Sequence, residues 1–179
     1  MLARAFDDDP VTAWFYRRAG SRPRYLERFF AWQLNRLLSQ DQVHTTAELT
    51  GAALWALPDQ WRESSADGLR LLRSVGPALM PRLPVALAGV ARVERHHPAE
   101  RHMYLAMLGT EPARQGEGIG SAVLGPGLAL CDTEGIPAYL ESSKEANLAF
   151  YGRFGFRVTD ELRLPLGGPP VWLMWRDPR

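Results

Sequence analysis

Leu108-Gly109-Thr110-Glu111-Pro112-Ala113-Arg114-Gln115-Gly116-Glu117-Gly118-Ile119-Gly120-Ser121 is the stretch on which the fold turns. Before it, His102–Leu108 reads as a buried strand. After it, apolar residues continue from about Gly118 to Glu134 as a helix. Glycines therefore alternate at a strand-to-helix junction. The first N–H groups of a helix lack partners within it, and the helix dipole adds positive potential there. Glycine removes side chains that would block a close approach. A diphosphate on the backbone amides of Gln115 to Ser121 is the ligand that such a turn suits. No Gly-Lys-Ser/Thr follows, so it is not a Walker loop. The spacing of Gly116, Gly118 and Gly120 does not give the GxGxxG of dinucleotide folds either. A glycine turn that only closes a strand–helix junction would look the same by spacing alone.

The chain around this turn has 179 residues, enough for one domain with a real core. A net charge of +1 gives no global field for nucleic acid or a membrane surface, so neither is expected as a partner. The lone cysteine, Cys131, cannot form an internal disulfide and sits in an apolar helical stretch, which predicts a buried, inert thiol. Met1–Pro10 is acidic where a secretory signal would be basic and then apolar, and no apolar run is long enough to span a bilayer. These features point to a cytoplasmic protein.

Upstream, Leu2–Phe6 reads as helical and Arg24–Leu38 as a helix with an aromatic stripe through Tyr25, Phe29 and Phe30. Val43–Leu49 and Ala52–Leu57 read as a hairpin turning at Thr50-Gly51, and two short helices are expected near Gly68–Val75 and Val85–Glu94. Gly125-Pro126-Gly127 should bend or interrupt the helix after the glycine turn. Ile136–Glu141 is then a strand, Asn147–Phe154 a short helix closed by Gly155, and Phe156–Leu164 and Val171–Trp175 the last strands. The second half is thus mixed α/β around one sheet.

Gln115-Gly116-Glu117-Gly118-Ile119-Gly120 also fits the Q/R-x-x-G-x-G/A pattern, and the chain resembles the GNAT superfamily of N-acetyltransferases. The resemblance continues in Pro137–Ser143, Asn147, Phe150-Tyr151 and Phe154-Gly155-Phe156. The Gly-Ser-Ala-Val-Leu-Gly-Pro-Gly-Leu and Leu-Glu-Ser-Ser runs are similar to the branch that includes puromycin acetyltransferase. It is strongest over Tyr104–Trp175. It implies a single domain over residues 1–179, a mixed α/β sheet with a splayed central strand between flanking helices, and the family's first strand missing, since Met1 starts inside the first helix. Residues 1–100 would form the acceptor side and residues 101–179 the acetyl-CoA core. By the same resemblance Leu108, Gly109 and Thr110 face the pantetheine arm, and Gln115, Gly116, Glu117, Gly118, Ile119, Gly120 and Ser121 cradle the pyrophosphate. Asn147 bonds the cofactor arm, and Tyr151 protonates the departing thiolate. Acetyl-CoA is then the co-substrate. Lys144-Glu145-Ala146 departs from the more usual Asn/Ala-Pro-Arg, and Pro58–Arg101 is a long insertion.

Acetyl transfer to an amine needs a neutral amine, donors for the oxyanion and a proton for the leaving thiolate. Tyr151 stands four residues from Asn147, on the same helical face. Glu141, ending a strand beside Tyr139 and Leu140, is the candidate base, with a structural strand-end carboxylate as the alternative. His102 reads as a structural histidine or a proton relay. His96, His97 and His102 fit no standard metal spacing, so no metal is expected. Trp14, Phe15, Tyr16, Phe29, Trp32 and Trp55 are available to line the pocket of a hydrophobic small-molecule amine. A protein N-terminus or lysine as acceptor, or a non-catalytic acetyl-CoA-binding module, are the competing readings. Exposed sheet edges would allow a homodimer.

Overall fold

The computed structural model describes residues 1–80 and 82–179. Six strands form one sheet in the order β1-β2-β3-β4-β6-β5. They are β1 (Val43–Thr45), β2 (Gly51–Ala56), β3 (Met103–Thr110), β4 (Ala138–Ser142), β5 (Arg157–Arg163) and β6 (Pro170–Arg176). Every neighbouring pair is antiparallel except β3 with β4, which is parallel. Helices α1 (Leu2–Ala5), α2 (Pro10–Phe15), α3 (Arg22–Leu38), α4 (Ser65–Leu79) and α5 (Leu83–Glu94) precede β3; α6 (Ile119–Glu134) and α7 (Leu148–Arg153) follow it. This is the mixed α/β sheet with flanking helices that the sequence implies.

Side chains alternate across the sheet and sort the helices onto its two faces. Ala53 and Trp55 of β2, Leu105 of β3, Leu140 of β4 and Met174 of β6 pack with Val123, Leu124 and Leu128 of α6 and with Tyr151 of α7. On the opposite face, Leu54 and Ala56 pack with Leu37 of α3, while Tyr139, Leu173 and Trp175 pack with Trp14 of α2. The aromatic stripe of α3 is core, with Leu26 and Leu37 fully buried and Phe30 nearly so.

Several local readings change. The hairpin does not turn at Thr50-Gly51. The turn spans residues 46–50, where Leu49 takes a positive φ and the Thr46 hydroxyl accepts from the Thr50 N–H, and Gly51 already lies in β2. Gly51 is needed there for contact, since a Cβ would lie 2.3 Å from Ile119 Cγ2. Pro126 does not interrupt α6, which runs unbroken from Ile119 to Glu134. Proline costs that helix one donor only, and neighbouring Gly127 lets α6 settle onto the Trp55 ring. Helix α2 has no counterpart in the sequence reading. Asp9 caps it by accepting from the N–H groups of Val11 and Thr12, and Pro10 stands at its first position.

The C-terminal strand is locked to α6 by Arg176, which is buried and donates two 2.8 Å bonds to the Asp132 carboxylate. Arg176 holds the Asp132 carboxyl below its ordinary value. The folded pKa is depressed, so this stabilisation is present above the usual carboxylate range and is lost as pH falls through the lowered value. Acid unfolding followed by circular dichroism should therefore be less steep at its acid limb in Asp132→Asn. At Gly127 a Cβ would lie 2.3 Å from the Trp55 ring, so Gly127→Ala should lower stability by about 1–3 kcal/mol. Thermal denaturation checks this; an unchanged Tm would contradict it.

Candidate functional site

The site begins where β3 and β4 part. Their parallel pairing covers only Met103 with Ala138 and Tyr104 with Tyr139, although β3 runs on to Thr110. Beyond Tyr104 a bulge breaks the register with β2: Trp55 pairs with Leu105 but Leu54 with Met107, leaving Ala106 as the extra residue. A bulge bends its strand and increases the local twist, which turns β3 away from β4. The Thr50 carbonyl accepts from the Glu111 N–H at 2.7 Å and fixes the phase of the β2–β3 ladder. In that phase Met107 and Gly109 aim their backbone groups at β2. Leu108 and Thr110 aim theirs into the gap, where no strand pairs with them.

The glycine turn lies at the end of the same strand. Gly116 and Gly118 take φ values of 85° and 82°, and a Cβ at either would meet open space. The loop from Pro112 to Gly118 is exposed. Ala122 is the first residue of α6 to donate backward, to the Gly118 carbonyl. The N–H groups of Gly116, Glu117, Gly118, Ile119, Gly120 and Ser121 have no acceptor among the described residues, so a run of donors faces outward at the start of a 16-residue helix. Arg114 braces the loop through a 2.6 Å bond to Glu117. Gln115 is exposed and caps the short 3-10 turn Pro112–Arg114.

Across the gap, Asn147 is exposed at the start of α7, and Tyr151 is buried one turn on. Tyr151 packs edge-on to Phe150 and Phe156, and its hydroxyl has no hydrogen-bond partner among the described residues. Burial holds that hydroxyl above the ordinary phenol range, so it keeps its proton at neutral pH. Cys131 is also buried on this face, its thiol pushed up to about 11 by burial.

Glu141 is on the other face. One carboxylate oxygen accepts from the Tyr104 hydroxyl at 2.5 Å; the other lies 3.3 Å from His97 Nδ1. His97 Nε2 lies 2.9 Å from His102 Nε2, and His97 is stacked on Trp61 at 3.6 Å between ring centroids. Nothing in the local sequence spacing of His97 and Tyr104 links them to Glu141, and only the fold brings them together. His96 bonds back to the Arg92 carbonyl and does not join them. Trp55 packs under α6 and not on the acceptor side, because β2 turns it to that face.

The N-terminal segment closes the gap on the acceptor face. Arg4 forms a bidentate pair with Glu111 at the end of β3, which accounts for Glu111 and lowers its carboxyl pKa. Lys144, just past β4, bonds Asp8 at 2.6 Å, and Ser143 donates to Asp9. Leu2, Ala5 and Phe6 lie directly over Gly109. The Lys144 that departs from the usual loop sequence thus ties β4 to the same segment that Arg4 ties to β3.

Residues 82–156 match the model of the acetyltransferase (GNAT) family. Over residues 82–156 the chain thus matches a GNAT-family acetyltransferase domain. Its enzymatic class is acyltransferase. A solved structure described as histone acetyltransferase HPA2 and related acetyltransferase, from Corynebacterium glutamicum, is 26% identical over 99% of this chain and 87% of that one, with a TM-score of 0.70. An uncharacterized N-acetyltransferase of Schizosaccharomyces pombe is 26% identical over 99% of this chain and 77% of its own length. Naa20 of Chaetomium thermophilum, solved with a bisubstrate analogue, shares the fold at 15% identity and a TM-score of 0.51, over 86% of this chain and 73% of that one.

Asp9 both caps α2 and holds Ser143, whereas Asp8 meets Lys144 with a side chain that is 78% exposed. Asp9→Ala should therefore cost about 1–2 kcal/mol. Asp8→Ala should stay within about 0.5 kcal/mol. Urea unfolding of the two variants measures the difference.

Proposed function

We propose that the protein transfers the acetyl group of acetyl-CoA to a primary amine of a small molecule by direct attack. One observation carries the reading: the unpaired backbone of β3 at Leu108 and Thr110 lies beside a run of unpartnered amides at Gly116–Ser121. Such amides suit a pyrophosphate, with Gln115 at the loop's entrance. The gap-facing backbone of Leu108 and Thr110, with Gly109 between, suits the amide groups of a pantetheine arm. A free N–H there is the kind of donor that stabilises a tetrahedral oxyanion. Asn147, exposed at the gap's far side, is assigned to the cofactor arm.

The chemistry then divides between the two faces of β4. Tyr151, held as a phenol by burial and free of a protein partner, serves as the general acid for the leaving thiolate. Glu141, on the opposite face two residues beyond the last β3–β4 pair, serves the incoming amine as base. No metal-ligand cluster occurs among the described residues, and the roles assigned here call for none.

A small-molecule acceptor is supported by a cavity of about 660 Å³ lined by Phe15, Tyr25 and Leu79 together with Arg17, Arg18 and Arg82, a size suited to a compact ligand. The runs that resemble puromycin acetyltransferase point the same way. No helix among the described residues is long and apolar enough to cross a membrane, and a cytoplasmic site of action fits this reading. The charged edge strand β5, with Arg157, Asp160, Glu161 and Arg163, leaves the short β1 as the edge more open to pairing in a homodimer.

Thiol release from acetyl-CoA, measured with puromycin, phenylalaninamide and a short peptide bearing a free α-amine, tests the proposal. Turnover with the small amines is expected, and turnover with the peptide alone would replace the acceptor class. Tyr151→Phe should lower kcat about a hundredfold with acetyl-CoA affinity unchanged. An unchanged kcat would remove Tyr151 from the chemistry. Gly118→Val, at a positive φ, should weaken acetyl-CoA binding at least about tenfold, measured by calorimetry, while the far-ultraviolet spectrum stays the same.

A further inference from the structure

The buried groups around Glu141 are more extensive than a single base requires, and their hydrogen bonds can be counted. His102 Nδ1 lies 2.6 Å from the Glu100 carbonyl, which only accepts, so Nδ1 carries a proton. The 2.9 Å contact between His97 Nε2 and His102 Nε2 needs one proton between two nitrogens. The 3.3 Å contact between His97 Nδ1 and Glu141 Oε1 needs another. Two neutral imidazoles and a carboxylate together hold only two protons, one short of the three these contacts require. The group therefore satisfies all its contacts only when it holds one more proton and has no net charge. That proton sits on Glu141, His97 or His102, and shifting the two bridging protons along the row moves it from one end to the other.

The surroundings suit a conduit. Trp61 stacks on one face of His97, and the edges of Tyr104 and Tyr139 close its flank. The His97 side chain is only 2% exposed, and His102 is likewise buried. One end of the row, Glu141, lies at the parting of β3 and β4. The other borders a separate cavity of about 320 Å³, lined by Asp59, Trp61, Arg62, Pro98 and Glu100 with both histidines. Charged and titratable groups facing the row are Asp59 and Arg62 from the segment after β2, Glu100 before β3, Tyr104 on β3, Tyr139 on β4, and Arg36 of α3, which bonds the Trp61 carbonyl. Burial lowers the pKa of His102, which favours release of a proton arriving there.

We propose that Glu141, His97 and His102 form a proton relay that carries the proton of the acceptor amine out of the β3–β4 gap to the cavity at Glu100. The proposal rests on the acetyl-transfer reading above. With the bridging protons shifted away from Glu141, that residue is a carboxylate and His102 an imidazolium. The carboxylate takes one proton from the ammonium of the acceptor, leaving the neutral amine as nucleophile. Solvent at the cavity takes one proton from His102, and the row returns to its single extra proton. Glu141 is the catalytic residue of the set, and His97 and His102 act through it.

Two measurements test it. Side-chain nitrogen NMR of the wild type should show a protonated His102 Nδ1 and a linked titration of His97 and His102 that Glu141→Gln shifts for both. Independent titrations unmoved by Glu141→Gln would overturn the relay, and need no turnover to observe. In the second, His97→Gln is assayed with puromycin and phenylalaninamide across pH. The expected loss in kcat/KM is about a hundredfold at neutral pH and shrinks as pH rises and the free amine needs no base, with acetyl-CoA affinity unchanged. A loss equal at every pH would assign His97 a purely structural role and overturn the relay alone. Absence of wild-type turnover with any amine would instead overturn the acetyl-transfer reading on which the relay rests.

Discussion

The parting of β3 from β4 is the constraint on which the site depends. A parallel pair that continued past Tyr104 and Tyr139 would satisfy the backbone of Leu108 and Thr110 and leave nowhere for a ligand to lie. The bulge at Ala106 prevents that continuation, and the separation is held by other bonds. Arg4 reaches Glu111 on one strand; Asp8 and Asp9 reach Lys144 and Ser143 beyond the other. The exposed ion pairs add little stability individually. Their shared placement lets one short N-terminal segment fix the width of the gap. Asp9 contributes more, because the same carboxylate also caps α2.

The two faces of the sheet divide the work. The α6 face is apolar, with Trp55, Leu124 and Leu140 supporting the helix whose N-terminal amides have no acceptor among the described residues. A rigid helix keeps those donors aligned without further reorganisation. The opposite face buries a polar row, Glu141–His97–His102, beneath Trp61. Most buried polar groups are hydrogen-bonded, and the contacts of this row set how many protons it must hold to satisfy them all.

Much of this was legible in the sequence because it is encoded locally. The glycines at 116, 118 and 120, the strand before them and the helix after them announce the junction, and the short helix that carries Tyr151 falls where the sequence places it. The mixed sheet and the flanking helices followed from the resemblance and match the structure. What stayed hidden depends on pairing between distant segments. His97 is 44 residues from Glu141 and sits in a loop without periodicity. Lys144 departs from the usual loop sequence, and its partner Asp8 lies 136 residues away in the chain. Pro126 argued for a broken α6 on propensity alone, but the fit of Gly127 over Trp55 outweighs one missing bond. Thr50-Gly51 suggests a turn by composition, but Gly51 serves close packing with Ile119 and not chain reversal.

The most direct measurement of the account is a calorimetric titration of the wild-type chain with acetyl-CoA, repeated with acetyl-pantetheine, which lacks the pyrophosphate. The account predicts saturable one-to-one binding of acetyl-CoA and a loss of at least about tenfold in affinity for acetyl-pantetheine, since charge-assisted bonds from the free amides of Gly116–Ser121 would be gone. Equal affinity for the two ligands, or no binding of either, would contradict the claim that this turn is the pyrophosphate cradle of an acetyltransferase.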